Sequence, residues 1–127
     1  MKTRTLIATV GAALAVIGPA AAAQAATSAT THVWRSPTGN IACRYYPSLA
    51  AVSCQTDNDH YAVAVGRYSS TAFHTTYRYI PSNAFRLAYG GSWRAPGIVC
   101  VSTSVGMGCQ ADSGHGFAIN RDQVRKW

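Results

Sequence analysis

The residues able to do chemistry fall into two look-alike segments. Ile41-Ala42-Cys43 leads, after a gap, into Cys54-Gln55-Thr56-Asp57-Asn58-Asp59-His60. Ile98-Val99-Cys100 leads in the same way into Cys109-Gln110-Ala111-Asp112-Ser113-Gly114-His115. Both read I-x-C, a gap, then C-Q-x-D-x-x-H, and together they hold all four cysteines of the chain. Two imidazoles with a cation such as Arg121 are the set for acid–base cleavage of a phosphodiester. His60, His115 and Arg121 are therefore the candidate catalytic residues of a nuclease-like hydrolase. Each histidine also follows an Asx or Gly turn at a strand entrance, where a ring bonding turn backbone is the plainer account. Asp57, Asp59 and His60, or Asp112 and His115, are the possible metal ligands. A calcium loop would continue D-x-D-x-D-G, but His60-Tyr61-Ala62 follows. Zinc would compete with disulfides for the cysteines. Neither a metal nor a cofactor is expected. Glycosidase chemistry needs a carboxylate pair, and the chain has no Glu. No G-x-S-x-G elbow occurs, and Gly114-His115-Gly116 is too short to cradle a phosphate.

The compartment decides how the cysteines are read. Lys2 and Arg4 precede an apolar run from Leu6 to Ile17, then Gly18-Pro19 and the small-x-small site Ala23-Gln24-Ala25. That is the layout of a secretory signal peptide over residues 1–25, cleaved near Ala25. The apolar run is too short for a membrane-spanning helix. Residues 26–31 read as a loose polar leader, and 32–127 as one domain. The mature chain has 127 − 25 = 102 residues, with nine basic and four acidic side chains, a net +5. A domain of this size buries only about 60–65% of its surface, so covalent staples help it fold.

In an exported chain four cysteines are two disulfides before they are metal ligands. The repeat unit holds one whole pair, which favours Cys43–Cys54 and Cys100–Cys109. A four-residue turn over Pro47-Ser48-Leu49-Ala50 sets Tyr46 opposite Ala51 and Cys43 opposite Cys54. A turn over Thr103-Ser104-Val105-Gly106 sets Ser102 opposite Met107 and Cys100 opposite Cys109. Directly opposed antiparallel residues are within disulfide range.

The rest of the mature chain reads as further short strands: His32 to Arg35, Tyr61 to Tyr68, Thr75 to Ile80, Phe85 to Tyr89 and Phe117 to Asn120. Residues 122–127 read as a short helical tail. Short strands between closely spaced turns predict an all-β domain: a small disulfide-stapled antiparallel sandwich or barrel-like fold built from two similar Cys-bridged hairpins. Arginine repeatedly stands next to an aromatic, as in Trp34-Arg35, Arg44-Tyr45, Phe85-Arg86 and Trp93-Arg94. Strand alternation then puts aromatics inward and arginines outward. The competing reading is a contact surface of Arg with Tyr and Trp, types enriched at interfaces. Tyr89, Trp93 and Arg94, around the Gly90-Gly91 turn, are the candidate binding residues.

Ser36-Pro37-Thr38-Gly39-Asn40-Ile41-Ala42-Cys43 resembles the S-P-S-G-N-I-x-C opening of a family of small secreted bacterial domains of unknown function, common in actinobacteria and proteobacteria. Leu87-Ala88-Tyr89-Gly90-Gly91-Ser92-Trp93 is similar to its L-P-Y-G-x-x-W segment. Gly97-Ile98-Val99-Cys100, Gly108-Cys109 and Gly114-His115-Gly116-Phe117-Ala118-Ile119-Asn120-Arg121 resemble its G-x-x-C, T-C and G-H-G-F-x-L-S-R ending. Ala88, Gly108 and Asn120 depart from the usual Pro, Thr and Ser, and the further Cys pair that such domains often carry in their middle is missing from residues 55–99. The resemblance implies secretion, disulfides and a shared fold, and no activity.

The sequence thus predicts a secreted, non-enzymatic binding module whose partner is an envelope polymer or an extracellular protein, without specific nucleic-acid recognition. The hydrolase using His60 and His115 is one alternative. A self-associating envelope structural protein, driven by exposed Tyr and Arg, is the other.

Overall fold

The computed structural model describes residues 31–69 and 72–127, and the strand pairing of Ala26–Thr27. The signal-peptide expectation for residues 1–25 lies outside the described residues. Among the described residues twelve strands form two six-stranded sheets. In chain order they are β1 (Ala26–Thr27), β2 (Val33–Arg35), β3 (Ile41–Tyr46), β4 (Ala51–Thr56), β5 (Ala62–Gly66), β6 (Phe73–His74), β7 (Phe85–Arg86), β8 (Ser92–Ala95), β9 (Ile98–Thr103), β10 (Gly106–Ala111), β11 (Gly116–Ile119) and β12 (Val124–Lys126). The first sheet runs β6-β5-β4-β3-β2-β7 and the second β12-β11-β10-β9-β8-β1. The fold is all-β, as expected.

The two orders are the same order written twice. In the first sheet Trp34, Cys43, Cys54 and Val63 lie in one cross-strand row. In the second the row is Trp93, Cys100, Cys109 and Phe117. The likeness between the two sheets thus covers four strands and more, not only the bridged hairpins. The two copies also exchange strands. β1, which precedes the first copy, pairs in parallel with β8 of the second. β7, which precedes the second, pairs in parallel with β2 of the first. All other pairings are antiparallel.

Both expected bridges form, Cys43–Cys54 and Cys100–Cys109. The hairpin registers are those read from the turns: Tyr46 faces Ala51, and Ser102 faces Met107. A 3-10 turn, Pro47–Leu49, is closed by Ala50 in the left-handed region, with its N–H donating to Pro47 O. Alternation decides the faces. Cys43, Tyr45, Val52, Cys54, Val63 and Val65 point into the core with Trp34. Against them lie Trp93, Ile98, Cys100, Met107, Cys109, Phe117 and Ile119.

Four expectations are corrected. Residues 75–80 form no strand; β6 stops at His74 and the chain crosses the outer face of the first sheet instead. Ser92–Ala95 is a strand, because its Trp93 is drawn into the core opposite Cys100. The tail is a strand and not a helix: β12 pairs with the free edge of β11, and six residues are too few to nucleate a helix without packing. The leader is not loose at its start, since Ala26–Thr27 completes the second sheet, and Thr31 O accepts the indole N–H of Trp93 at 2.7 Å.

Candidate functional site

The centre of the molecule is where the copies meet. Trp34 and Trp93 stack with ring centroids 4.4 Å apart and planes 19° from parallel. Tyr45 lies against Trp93 at 4.9 Å. Cys54 Sγ and Cys109 Sγ are 4.0 Å apart, so the two bridges touch. Neither sulfur carries a proton, and the contact is van der Waals. Trp93 is fully buried. As a candidate binding residue it is corrected: it is core, as the alternation reading of Trp-Arg pairs requires. Arg94 and Tyr89 are exposed on the surface. The alternation fails at Phe85-Arg86, where both side chains are exposed on a two-residue strand.

The histidines do not come together. Arg121 pairs with Asp57 at 3.0 Å, and Arg67 with Asp112 at 3.3 Å. These pairs are copies of each other, since Arg67 follows Val63 by four residues as Arg121 follows Phe117. They tie the start of β5 to the end of β11, and the start of β11 to the end of β5. His60 lies on the Asp57 end and His115 on the Asp112 end. Five residues of β5 separate those ends by roughly 15 Å. His60 is exposed, edge-on to Tyr61. His115 sets Nδ1 3.2 Å from Trp127 O. The shared C-Q-x-D-x-x-H spacing also hides a one-residue offset. Thr56 N–H donates to Tyr61 O, while Ala111 N–H donates to His115 O. His115 is thus the counterpart of Tyr61. Among the described residues no three His, Cys, Asp or Glu side chains cluster to hold a metal.

The outer faces of the sheets differ in one respect. On the first, the row Arg35, Ala42, Gln55, Ala62 carries an extended strap, residues 77–82. Gln55 clasps the backbone of Arg78 at two points: Nε2 donates to Arg78 O at 2.7 Å, and Arg78 N–H donates to Oε1 at 2.8 Å. Arg35 donates to Ile80 O and Pro81 O at 2.6 and 3.0 Å. Arg44 donates to Tyr79 O at 2.7 Å. Ile80 is buried under the strap. The Tyr77 hydroxyl has its pKa raised, chiefly by burial; a hydrogen bond with Thr56 opposes the shift and the charge of Asp59 adds to it. The strap is recognised largely through its main chain.

On the second sheet the equivalent row is Arg94, Val99, Gln110, Gly116. The Arg and the Gln are the same, and among the described residues no strap crosses them. Thr75 N–H donates to Ala62 O on the first sheet, and Trp127 N–H to Gly116 O on the second. Trp127 therefore stands where the strap begins. The Arg94 guanidinium has no hydrogen-bond or ion-pair partner among the described residues. Gln110 Oε1 and Trp127 Nε1 are both screened from water without a hydrogen-bond partner. A shallow depression lined by Arg94, Val99, Gln110 and Asp112 marks the face.

The sequence singles out Arg94 but not Gln110, Gln55 or the strap. A signal was present. Trp34-Arg35-Ser36-Pro37 and Trp93-Arg94-Ala95-Pro96 share W-R-x-P, which extends the repeat upstream, and both second cysteines are followed by Gln. No family model, curated protein or solved structure matches the chain.

Proposed function

We propose that the chain is a non-enzymatic binding module acting in the cell envelope or the medium, secreted as its resemblance to small secreted bacterial domains implies. The observation that carries the reading is where the polar groups are used. Arg67 and Arg121 are spent on pairs between the copies, His115 is set against the chain's own carbonyl, and His60 stands at the other end of the strands. A hydrolase would need the two imidazoles within hydrogen-bond reach of one reacting group. Arg94 and Gln110, by contrast, share one row of the outer face of the second sheet, a surface braced by the Cys100–Cys109 bridge. No helix among the described residues is long and apolar enough to cross a membrane. Two assays run together test this reading. Purified protein is incubated with RNA across pH 5–8, where histidine titrates, and is passed over cell-wall polymers and culture-medium proteins. Retention without RNA turnover is the expected result. Turnover lost in both His60→Ala and His115→Ala would overturn it.

A further inference from the structure

We propose that the outer face of the second sheet, at Arg94, Val99 and Gln110, takes an extended polypeptide segment of a partner protein, clasped through its backbone; this rests on the binding-module reading above. The molecule already contains the complex. On the first sheet the same row seats the strap, and the contacts are to main-chain atoms of Arg78, Ile80 and Pro81. Main-chain recognition needs an extended segment and no particular side chain at those positions. The second row keeps the two gripping residues in identical register. Among the described residues Arg94 braces no neighbour, and Gln110 Oε1 is left without a donor.

An orphaned, screened oxygen costs free energy until a donor meets it. In the first copy the equivalent oxygen is met by a peptide N–H. Gln110 Oε1 is covered by the protein itself in the free state, so the Gln110 amide has to turn outward to match Gln55; a peptide N–H would then meet Oε1, the neighbouring carbonyl would accept from Nε2, and the next carbonyls would accept from Arg94. The Trp127 ring packs against Gly116, the next residue of the same row, and its indole N–H would report the arrival of the segment. Val99 replaces Ala42 on the floor, so the segment rides higher than the strap and a small residue is favoured above Val99. The face carries positive charge from Arg94 and, in register with Ala118, Arg125. An acidic side chain flanking the clasped residue therefore complements it.

The probe is the strap itself as a capped, isotopically unlabelled peptide, residues 75–84 (Thr-Thr-Tyr-Arg-Tyr-Ile-Pro-Ser-Asn-Ala), and the same peptide with Arg78 replaced by Glu. Each is titrated into nitrogen-15-labelled protein. Saturable binding is expected, with shifts at the Gln110 side-chain amide, the Arg94 Nε–H and the Trp127 indole N–H. The Glu peptide should bind tighter. Gln110→Ala should weaken binding about tenfold, since it removes two hydrogen bonds each worth up to a few-fold. Gln110 is unpartnered through its side chain, so the variant should remain folded, and its spectrum shows whether it is. Saturable binding unchanged in Gln110→Ala and Arg94→Ala would overturn the site and leave the binding-module reading intact. No binding of either peptide would overturn the proposal, while retention on envelope material would report separately on the module. Concentration-dependent dimerisation that shifts Gln110 without peptide would make a second copy the occupant and equally overturn it.

Discussion

Removing the Cys43–Cys54 bridge, as Cys43→Ala with Cys54→Ala, should lower stability by about 3–4 kcal/mol. The sequence separation is 11 residues, and 9 for the second bridge. The chain-entropy relation gives about 2.7 kcal/mol for loops of that length at 25 °C. Both bridges are fully buried, so deleting sulfur also leaves unfilled space, adding on the order of 1 kcal/mol. A domain of this size has about 5–15 kcal/mol in total. Either single loss should therefore leave a folded protein, and loss of both should bring it to the edge of unfolding. The contact between Cys54 and Cys109 couples the two sites, so their effects should depart from additivity by at least about 0.5 kcal/mol. Urea unfolding followed by the fluorescence of the stacked Trp34–Trp93 pair is the assay, with an osmolyte added to keep the four-alanine variant folded. A single-bridge loss under 1 kcal/mol, or strict additivity, would refute the reasoning. Non-reducing peptide mapping gives the pairing itself.

The other predictions concern the joins between the copies. Trp34→Ala should cost about 3–5 kcal/mol, because it opens a cavity under a fully buried ring; denaturant midpoints measure it. Arg67→Ala and Arg121→Ala should each cost only about 0.5 kcal/mol, since both pairs are solvent-accessible, and added salt should shrink the effect. A loss above 2 kcal/mol in either would mean the pair does more than tie two loops. Gln55→Ala removes both hydrogen bonds to Arg78 and should speed hydrogen exchange over residues 75–82 while β9 and β10 stay protected; unchanged exchange there would show the strap is held otherwise.

The hairpins were legible because their information is local. Two turns of fixed length set the registers, and the cysteines mark both strands. The strap was not, because residues 75–80 have the composition of a strand, and only the tertiary contacts with Arg35, Arg44 and Gln55 decide that they cross a sheet instead of joining it. The β1 and β7 exchange was invisible for the same reason: two-residue strands carry no periodicity, and their partners lie far away in the chain. Tyr89-Gly90-Gly91-Ser92-Trp93 looked like an exposed loop because glycines mark turns, yet Gly90 and Gly91 are buried and Trp93 is a strand residue at the core. The C-Q-x-D-x-x-H match of His60 and His115 was legible, but where the rings stand is set by tertiary pairing: the Arg121–Asp57 and Arg67–Asp112 pairs lie at opposite ends of the strands, one histidine beside each, while Trp34 and Trp93 meet at the centre.

The central claim is that the unstrapped face of the second sheet is the working surface. Retention on cell-wall polymers and culture-medium proteins, compared among wild type, Arg94→Ala/Gln110→Ala and Tyr89→Ala, tests it most directly. The account predicts that wild type and Tyr89→Ala are retained and that the double variant, still folded, loses at least tenfold. Equal retention of the double variant and wild type would contradict it.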